Sequence, residues 1–343
     1  MRVFTTLPQD DLRKVGPAAR KIEAAGYTGV ATQENKHDPF LALAVAGVAT
    51  ERIELHTSVA ISFPRSPMIA ANVGWDLAAS TGGRFTLGLG SQIRPHNEKR
   101  FSVPWSPPAP RMREYVQAIR AIWKAWKAGS KLDYQGKHYR FTLMTPHFVP
   151  EPFDGPPPRI GLAAVGPATL RVAAEEADGA KLHGFCTRKY LENRIMPIIS
   201  AGLAKTGRAR EQFEISGGGF VVTGKDDAEV AKVFNWVRYR VAFYGSTPSY
   251  WPVFAEHGLE DLGRKLNEMT KAGRWNEIAA EVSDDVVHLF AAVGRHDQIA
   301  QALETRFGGL VDSVSARAND SQPSDLPSDL LQDLANIPTR YQA

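Results

Sequence analysis

Two side chains stand where a proton can be moved: Glu34 in "ATQEN" and His183 in "GAKLHGF", each closing a short apolar run. An imidazole at such a place titrates near neutral pH. It can pass a proton, hydrogen-bond a cofactor, or serve as a satisfied structural histidine. Glu34 is either a proton partner or the cap of the following helix, taking up its first free N–H groups. His56 falls on the same strand face as Ser58, pointing inward, where a backbone partner is expected for its ring. His37–Asp38, just before Pro39, reads as a helix cap, and Arg65 and Arg84 read as structural. Arg94, His96, Lys99 and Arg100 form a basic loop, either solvated surface or an attractor for an acidic cofactor tail. Arg188 and Lys189, near a helix start, are candidates for a phosphate.

The stretch "GGRFTLGLGSQIRPHNEKRF", residues 82 to 101, holds the spacing Gly88-x-Gly90. A dinucleotide fingerprint needs a third glycine at position 93 and a helix starting there. Position 93 is Ile, Pro95 follows, and a long loop intervenes before the next helical stretch, so the fingerprint fails. A P-loop fails as well, for want of Gly-Lys-Ser/Thr. Bare backbone at a strand end lets a flat ring or phosphate approach closely, or it merely relieves crowding inside a barrel. A second signal is "AAVGPATLRVAAEEADG", residues 163 to 179. There Gly166–Pro167 turns a strand into a helix with free N–H groups, a place for anions or polar ring edges.

These residues need elements to hold them. Apolar β-rich runs alternate with helix-period stretches along the chain: 3–6, 29–32, 53–61, 85–89, 159–165, 180–185, 213–222 and 311–316 as strands, with helices between. The final helix is expected to be absent or irregular. Alternating βα units imply parallel strands with right-handed crossovers, and their number favours closure into a (β/α)8 TIM barrel. All 343 residues then form one domain, 1–343, with insertions at about 129–158 and 244–285. Loops that long are commonly lids or binding elements, and both are expected to line the pocket. The aromatic-rich 243–251 is expected to close over a bound ring or to pack a subunit interface.

Composition narrows the classes. One cysteine, Cys186, excludes an internal disulfide and is consistent with a reducing cytoplasm. "MRVFTTLPQDD" lacks the apolar core of a leader, and no run is long enough to span a bilayer. The net charge of +4 comes from basic residues dispersed among acids, which suits an anionic small molecule better than a nucleic-acid track, so no nucleic-acid partner is expected. A metal-dependent hydrolase barrel would want His-x-His after the first strand, and a glycosidase barrel paired acids at strand ends. Neither is present.

Taken together, "AAGYTGVATQE", "TERIELHTSVAISFPRSPMIAA", "GGRFTLGLGSQ", "RMREYVQAIRAIW", "LDYQGKHYRF" and "GPATLRVAAEEADG" resemble the luciferase-like flavin-dependent superfamily. They are most similar to its coenzyme F420-dependent oxidoreductases. The segments run in family order from Met1 to about Ser315. The resemblance implies a barrel holding a deazaflavin or isoalloxazine ring at the carboxyl ends of its strands. It implies a cis bond between Ser58 and Val59 behind the ring. It places Gly90–Ser91–Gln92 against the ring or its side chain, and Ala164–Val165–Gly166–Pro167 against the pyrimidine edge. Glu34–Asn35 matches an acidic–His pair, with Asn in place of His. The function implied is hydride transfer between F420 and a small-molecule substrate, with an FMN-dependent monooxygenase as the alternative. Glu34 and His183 are the candidate catalytic residues. Ser58, Val59, Gly90, Ser91, Gln92, Ala164, Val165, Gly166, Pro167 and Arg188 are the candidate cofactor contacts. A homodimer is expected.

Overall fold

A computed structural model describes residues 1–343 apart from positions 318, 320, 321, 324 and 343. Eight parallel strands form the barrel: Arg2–Thr5, Gly29–Thr32, Glu54–Thr57, Phe85–Gly90, Arg159–Ala164, Gly179–Leu182, Glu214–Gly217 and Ser313–Ser315. The first strand pairs with the last through Val3 and Val314, and the third pairs with the fourth through Leu55 and Phe85, closing the ring. The expected (β/α)8 architecture is therefore present.

The helices start where local chemistry starts them. Asp11 caps Leu12–Ala25 by accepting from the Arg13 N–H at 3.0 Å, and Gly26, at φ 99°, ends it. Asp38 accepts from the N–H of Phe40 at 2.8 Å ahead of Pro39–Ala49, the cap expected from His37–Asp38. Ser66 does the same for Pro67–Ser80. In the second and third of these, proline fills the first turn, where its missing donor costs nothing. Arg84 ties the carbonyls of Gly47, Thr50 and Ile53 together, a structural role as expected.

Four features depart from the sequence reading. The run 53–61 is not one strand: it breaks after Thr57 at a cis Ser58–Val59 bond and resumes briefly at Ala60–Ile61. The run 213–222 also divides. Gly217 and Gly218 adopt φ of 87° and 85°, a conformation reserved for glycine, and the chain leaves the barrel there. Phe220–Gly224 then pairs in parallel with Ala291–Arg295, a small outer sheet with no counterpart in the periodicity. Finally, Ser328–Ala335 is a regular helix anchored by buried Leu330, Leu331 and Leu334, its pattern obscured in sequence by flanking Pro, Ser and Asp.

The amino-terminal half of the barrel is filled with charge. Arg2 pairs with both Glu54 and Glu214, the latter at 2.7 Å, and Arg159 reaches Glu214 at 3.5 Å. The Tyr341 ring covers this end, 4.5 Å from the Arg159 guanidinium and 5.3 Å from that of Arg2.

Candidate active site

A cavity of about 300 Å³ opens at the carboxyl ends of the strands. Its apolar walls come from Phe4, Ala31, Val59, Ala163, Val165 and Val314. Trp236, Arg240 and Tyr244, from the long helix Asp227–Gly245, stand over it. Ser216, Ser313, His56 and Lys181 lie deeper in the barrel.

His183 lines this cavity as expected. Its Nδ1 accepts from the Phe185 N–H at 2.9 Å, which assigns the remaining ring proton to Nε2. The ring stands edge-on to Tyr244, with centroids 4.2 Å apart, and tilts against Tyr250 at 4.8 Å. Burial, helped by the Arg240 charge, lowers its pKa to about 4. His183 is thus a neutral hydrogen-bond donor at neutral pH rather than a cation.

Ser58, Val59 and Val165 also line the cavity. Gly90 lies behind them: a Cβ built on it would meet Val59 Cγ2 at 2.6 Å, so its bare backbone makes room for the bulge. Gly88 relieves crowding inside the barrel, since a Cβ there would come within 1.7 Å of the Thr57 carbonyl oxygen and 2.7 Å of Lys181 Cε. At Gly166 an added Cβ would meet nothing within 4 Å. Gly166 and Pro167 begin Pro167–Glu176 with no side chain capping its first turn, leaving main-chain donors beside Val165. Ala164 faces an adjoining small void together with Leu182 and His183.

Other candidates sit elsewhere. Ser91 and Gln92 are half-buried but do not line the cavity; Gln92, at φ 57°, accepts from the Ile93 N–H at 2.9 Å. Glu34 is not among the lining residues either. Its carboxylate accepts from the Ile61 N–H at 2.7 Å and pairs with Arg65 at 2.6 Å, tying the second strand's end to the bulge. Arg188 pairs with Glu192 at 2.9 Å and donates to the Thr305 carbonyl, while Lys189 donates to that of Glu256. In the basic loop, Arg94 pairs with Glu98 and Arg100 donates to the Asn35 carbonyl.

The insertions do not line the cavity as expected. Residues 129–158 contribute nothing to it. They pack outside, where Trp75 donates to the Glu151 carbonyl at 3.2 Å and meets Phe153 edge-on, with ring centroids 4.8 Å apart. The reason is topological: a segment following a helix emerges on the opposite face from the loops that follow strands. From 244–285 only Tyr244 lines it, and Tyr250 supports His183 from behind.

The sequence reading missed Lys181, a lysine in the middle of a buried strand and two residues from His183 on the same face. That position was the available signal. Among the described residues no backbone group partners the His56 ring, contrary to expectation. His56 Nε2 instead donates to Glu54 at 3.0 Å, and its Nδ1 accepts from Lys181 Nζ at 3.3 Å. Gly88 and Gly161 leave room for the lysine stem: a Cβ on either would come within 2.8 Å of Lys181 Cε. Burial lowers the Lys181 ammonium to about 8, against the pull of Glu214 and with the help of Arg159 and Arg2. Burial and the Lys181 charge lower His56 to about 4, so its imidazole is neutral. The Glu214 carboxyl, which burial alone would raise, is held at about 2 by Arg2, Lys181 and Arg159.

A closed barrel with a carboxyl-rim cavity, a cis bulge on one wall and Val165 on another suits a flat ring lying against apolar walls. Comparison with known proteins assigns the class. The sequence matches the luciferase-like monooxygenase family over residues 2–313, and the chain belongs to that family, an enzyme of the oxidoreductase class. An uncharacterised protein of Mycobacterium tuberculosis is 47% identical over 305 residues, 89% of this chain and 90% of that protein. The 5,10-methylenetetrahydromethanopterin reductase of Archaeoglobus fulgidus is 29% identical over 287 residues, 81% of this chain and 80% of the reductase. Among solved structures, the coenzyme F420-dependent tetrahydromethanopterin reductase of Methanopyrus kandleri superposes with a TM-score of 0.75. It is 18% identical, with 98% of this chain and 97% of that one covered, a likeness of fold.

Proposed function

We propose that this chain is a coenzyme F420-dependent oxidoreductase whose rim cavity holds the deazaflavin ring beside a small organic substrate. The observation that carries the reading is the cavity wall made by the Ser58–Val59 bulge and Val165, the latter just ahead of the uncapped start of Pro167–Glu176. Val59 and Val165 offer apolar contact, and the N–H groups following Gly166 offer donors to a polar ring edge. F420, when bound, supplies hydride chemistry, and the protein contributes orientation and exclusion of water. His183, fixed by the Phe185 N–H and its two tyrosine neighbours, presents Nε2–H as a hydrogen-bond donor. Glu34 acts by holding the bulge in place through Ile61 and Arg65. The relationship to a putative coenzyme F420-dependent oxidoreductase of Mycobacterium tuberculosis, 28% identical over 316 residues, supports F420.

The family's description as monooxygenases keeps FMN as the alternative cofactor. Fluorescence titration with F420 and with FMN separates the two, followed by exposure of the reduced complex to air. A reduced deazaflavin reacts poorly with oxygen, whereas reduced FMN reacts readily. Selective F420 binding with a reduced state that survives air supports the proposal; selective FMN binding with rapid reoxidation replaces it with the monooxygenase.

We further propose a homodimer. Leu41 and Val48 on Pro39–Ala49 are 56% and 79% exposed, and Ile69 on the neighbouring Pro67–Ser80 is 52% exposed. An apolar face of this kind is covered economically by its own copy. Sedimentation velocity on the wild type and on Val48→Asp tests this, with a dimer expected to give way to a monomer. Among the described residues no helix is long and apolar enough to cross a membrane.

A further inference from the structure

We propose that the floor of the rim cavity, formed by Lys181 Nζ against His56, is an anion subsite that receives a carboxylate carried by the substrate. This rests on the rim cavity being the substrate-binding cavity and is independent of which redox cofactor shares it.

The argument begins with donor capacity. An ammonium has three N–H donors. One is directed to His56 Nδ1, whose acceptor state is fixed because Nε2–H is committed to Glu54. Glu214, the nearest buried carboxylate in electrostatic terms, is already held by Arg2, Arg159 and the Ser313 hydroxyl. Lys181 therefore reaches the cavity with donor capacity remaining. A buried cation in that condition is costly unless a partner arrives.

Charge balance points the same way. The groups facing Lys181 are Glu214 and Arg159 on flanking strands, with Arg2, Glu54 and neutral His56 across the barrel. Three cations (Arg2, Arg159 and Lys181) thus face two carboxylates. No carboxylate of the cavity offers itself to the ammonium, since no Asp or Glu lines it among the described residues. Phe4, Val59, Ala163 and Val314 complete an apolar sleeve above the ammonium. A short hydrophobic body ending in one negative oxygen pair matches that sleeve and floor. A neutral alcohol or amide would leave the charge uncompensated.

The test uses the full chain without added cofactor, and benzoate as the anionic probe with benzyl alcohol as its neutral counterpart. Isothermal titration calorimetry at pH 7 is expected to show saturable benzoate binding, with benzyl alcohol at least about tenfold weaker. Benzoate stays charged above pH 7, so its affinity is expected to fall about tenfold or more by pH 9.5 as Lys181 gives up its proton near 8. Lys181→Met is expected to lose the benzoate preference, and the surface control Lys189→Met to keep it. Should Lys181→Met fail to fold, the pH series on the native chain decides alone. Absent benzoate binding, equal binding of the two probes, or benzoate affinity flat between pH 7 and 9.5 would each overturn the proposal. The flat profile would place the anion on Arg240 or Arg317 instead. Failure here leaves the F420 titration untouched, and failure of that titration leaves this subsite standing.

Discussion

Removing the Glu34 carboxylate separates a positioning role from a chemical one. Its side chain is 8% exposed and accepts two hydrogen bonds, from the Ile61 N–H at 2.7 Å and from Arg65 at 2.6 Å. A hydrogen bond to a charged group contributes about 1.5–3 kcal/mol, and leaving a buried donor unpaired costs about the same. Arg65 keeps Asp38 and the Ile61 carbonyl, each at 3.0 Å, so its share is discounted. Glu34→Ala should then destabilise the fold by about 3 kcal/mol. Glu34→Gln retains an acceptor for Ile61 and should lose about 1–2 kcal/mol. At about 2.1 cal/mol/K per residue, unfolding 343 residues carries about 0.7 kcal/mol/K, so the expected falls in Tm are about 4 °C and 2 °C. Differential scanning calorimetry reads these directly, and a cofactor titration on the same samples should show weaker binding, because the bulge is no longer held. Unchanged Tm and cofactor affinity in Glu34→Ala, with turnover abolished, would refute this reasoning and make Glu34 a participant in the chemistry.

Three further outcomes are expected. Gly90→Ala drives a methyl group into Val59 Cγ2 at 2.6 Å and should push the bulge into the cavity, weakening cofactor binding by about tenfold, within the range for overpacking, as read by fluorescence titration. His183 and His56 are both lowered from 6.5 to about 4, so the unfolded chain binds protons first; their contribution is complete above pH 6.5 and is lost as pH falls toward 4, at up to about 1.4 kcal/mol per pH unit for each. Urea unfolding across that window should show the slope, and His183→Asn should flatten part of it. The buried Cys186 thiol, raised to about 12, should resist iodoacetamide in the native chain and react at once in urea, as followed by mass spectrometry.

Much of the barrel was legible because its signals are local. Parallel strands buried on both faces read as apolar runs, and Asp11, Asp38 and Ser66 mark helix starts within a few residues. The run 213–222 resisted because apolar periodicity is silent about which sheet a strand joins, and only the glycines at 217–219 hinted at the exit. At the site, Ser58, Val59, Val165 and His183 were found through family-like segments and strand ends. Lys181 was not, because its role arises from strands far apart in sequence: His56 lies 125 residues away, and Gly88 and Gly161 clear its path. Glu34 was seen as a proton group because sequence shows a carboxylate at a strand end and hides the arginine across from it.

Tyr341 and the ion pairs of Arg2, Glu54, Glu214 and Arg159 close the amino-terminal end of the barrel. The chamber above them is therefore a blind alley, entered past Trp236, Arg240 and Tyr244. Whatever settles deepest must go in first and come out last. A compound reaching Lys181 and a planar coenzyme lodged nearer the mouth would obstruct each other's traffic, so steady-state kinetics with two varied reactants should follow a compulsory sequence rather than random arrival.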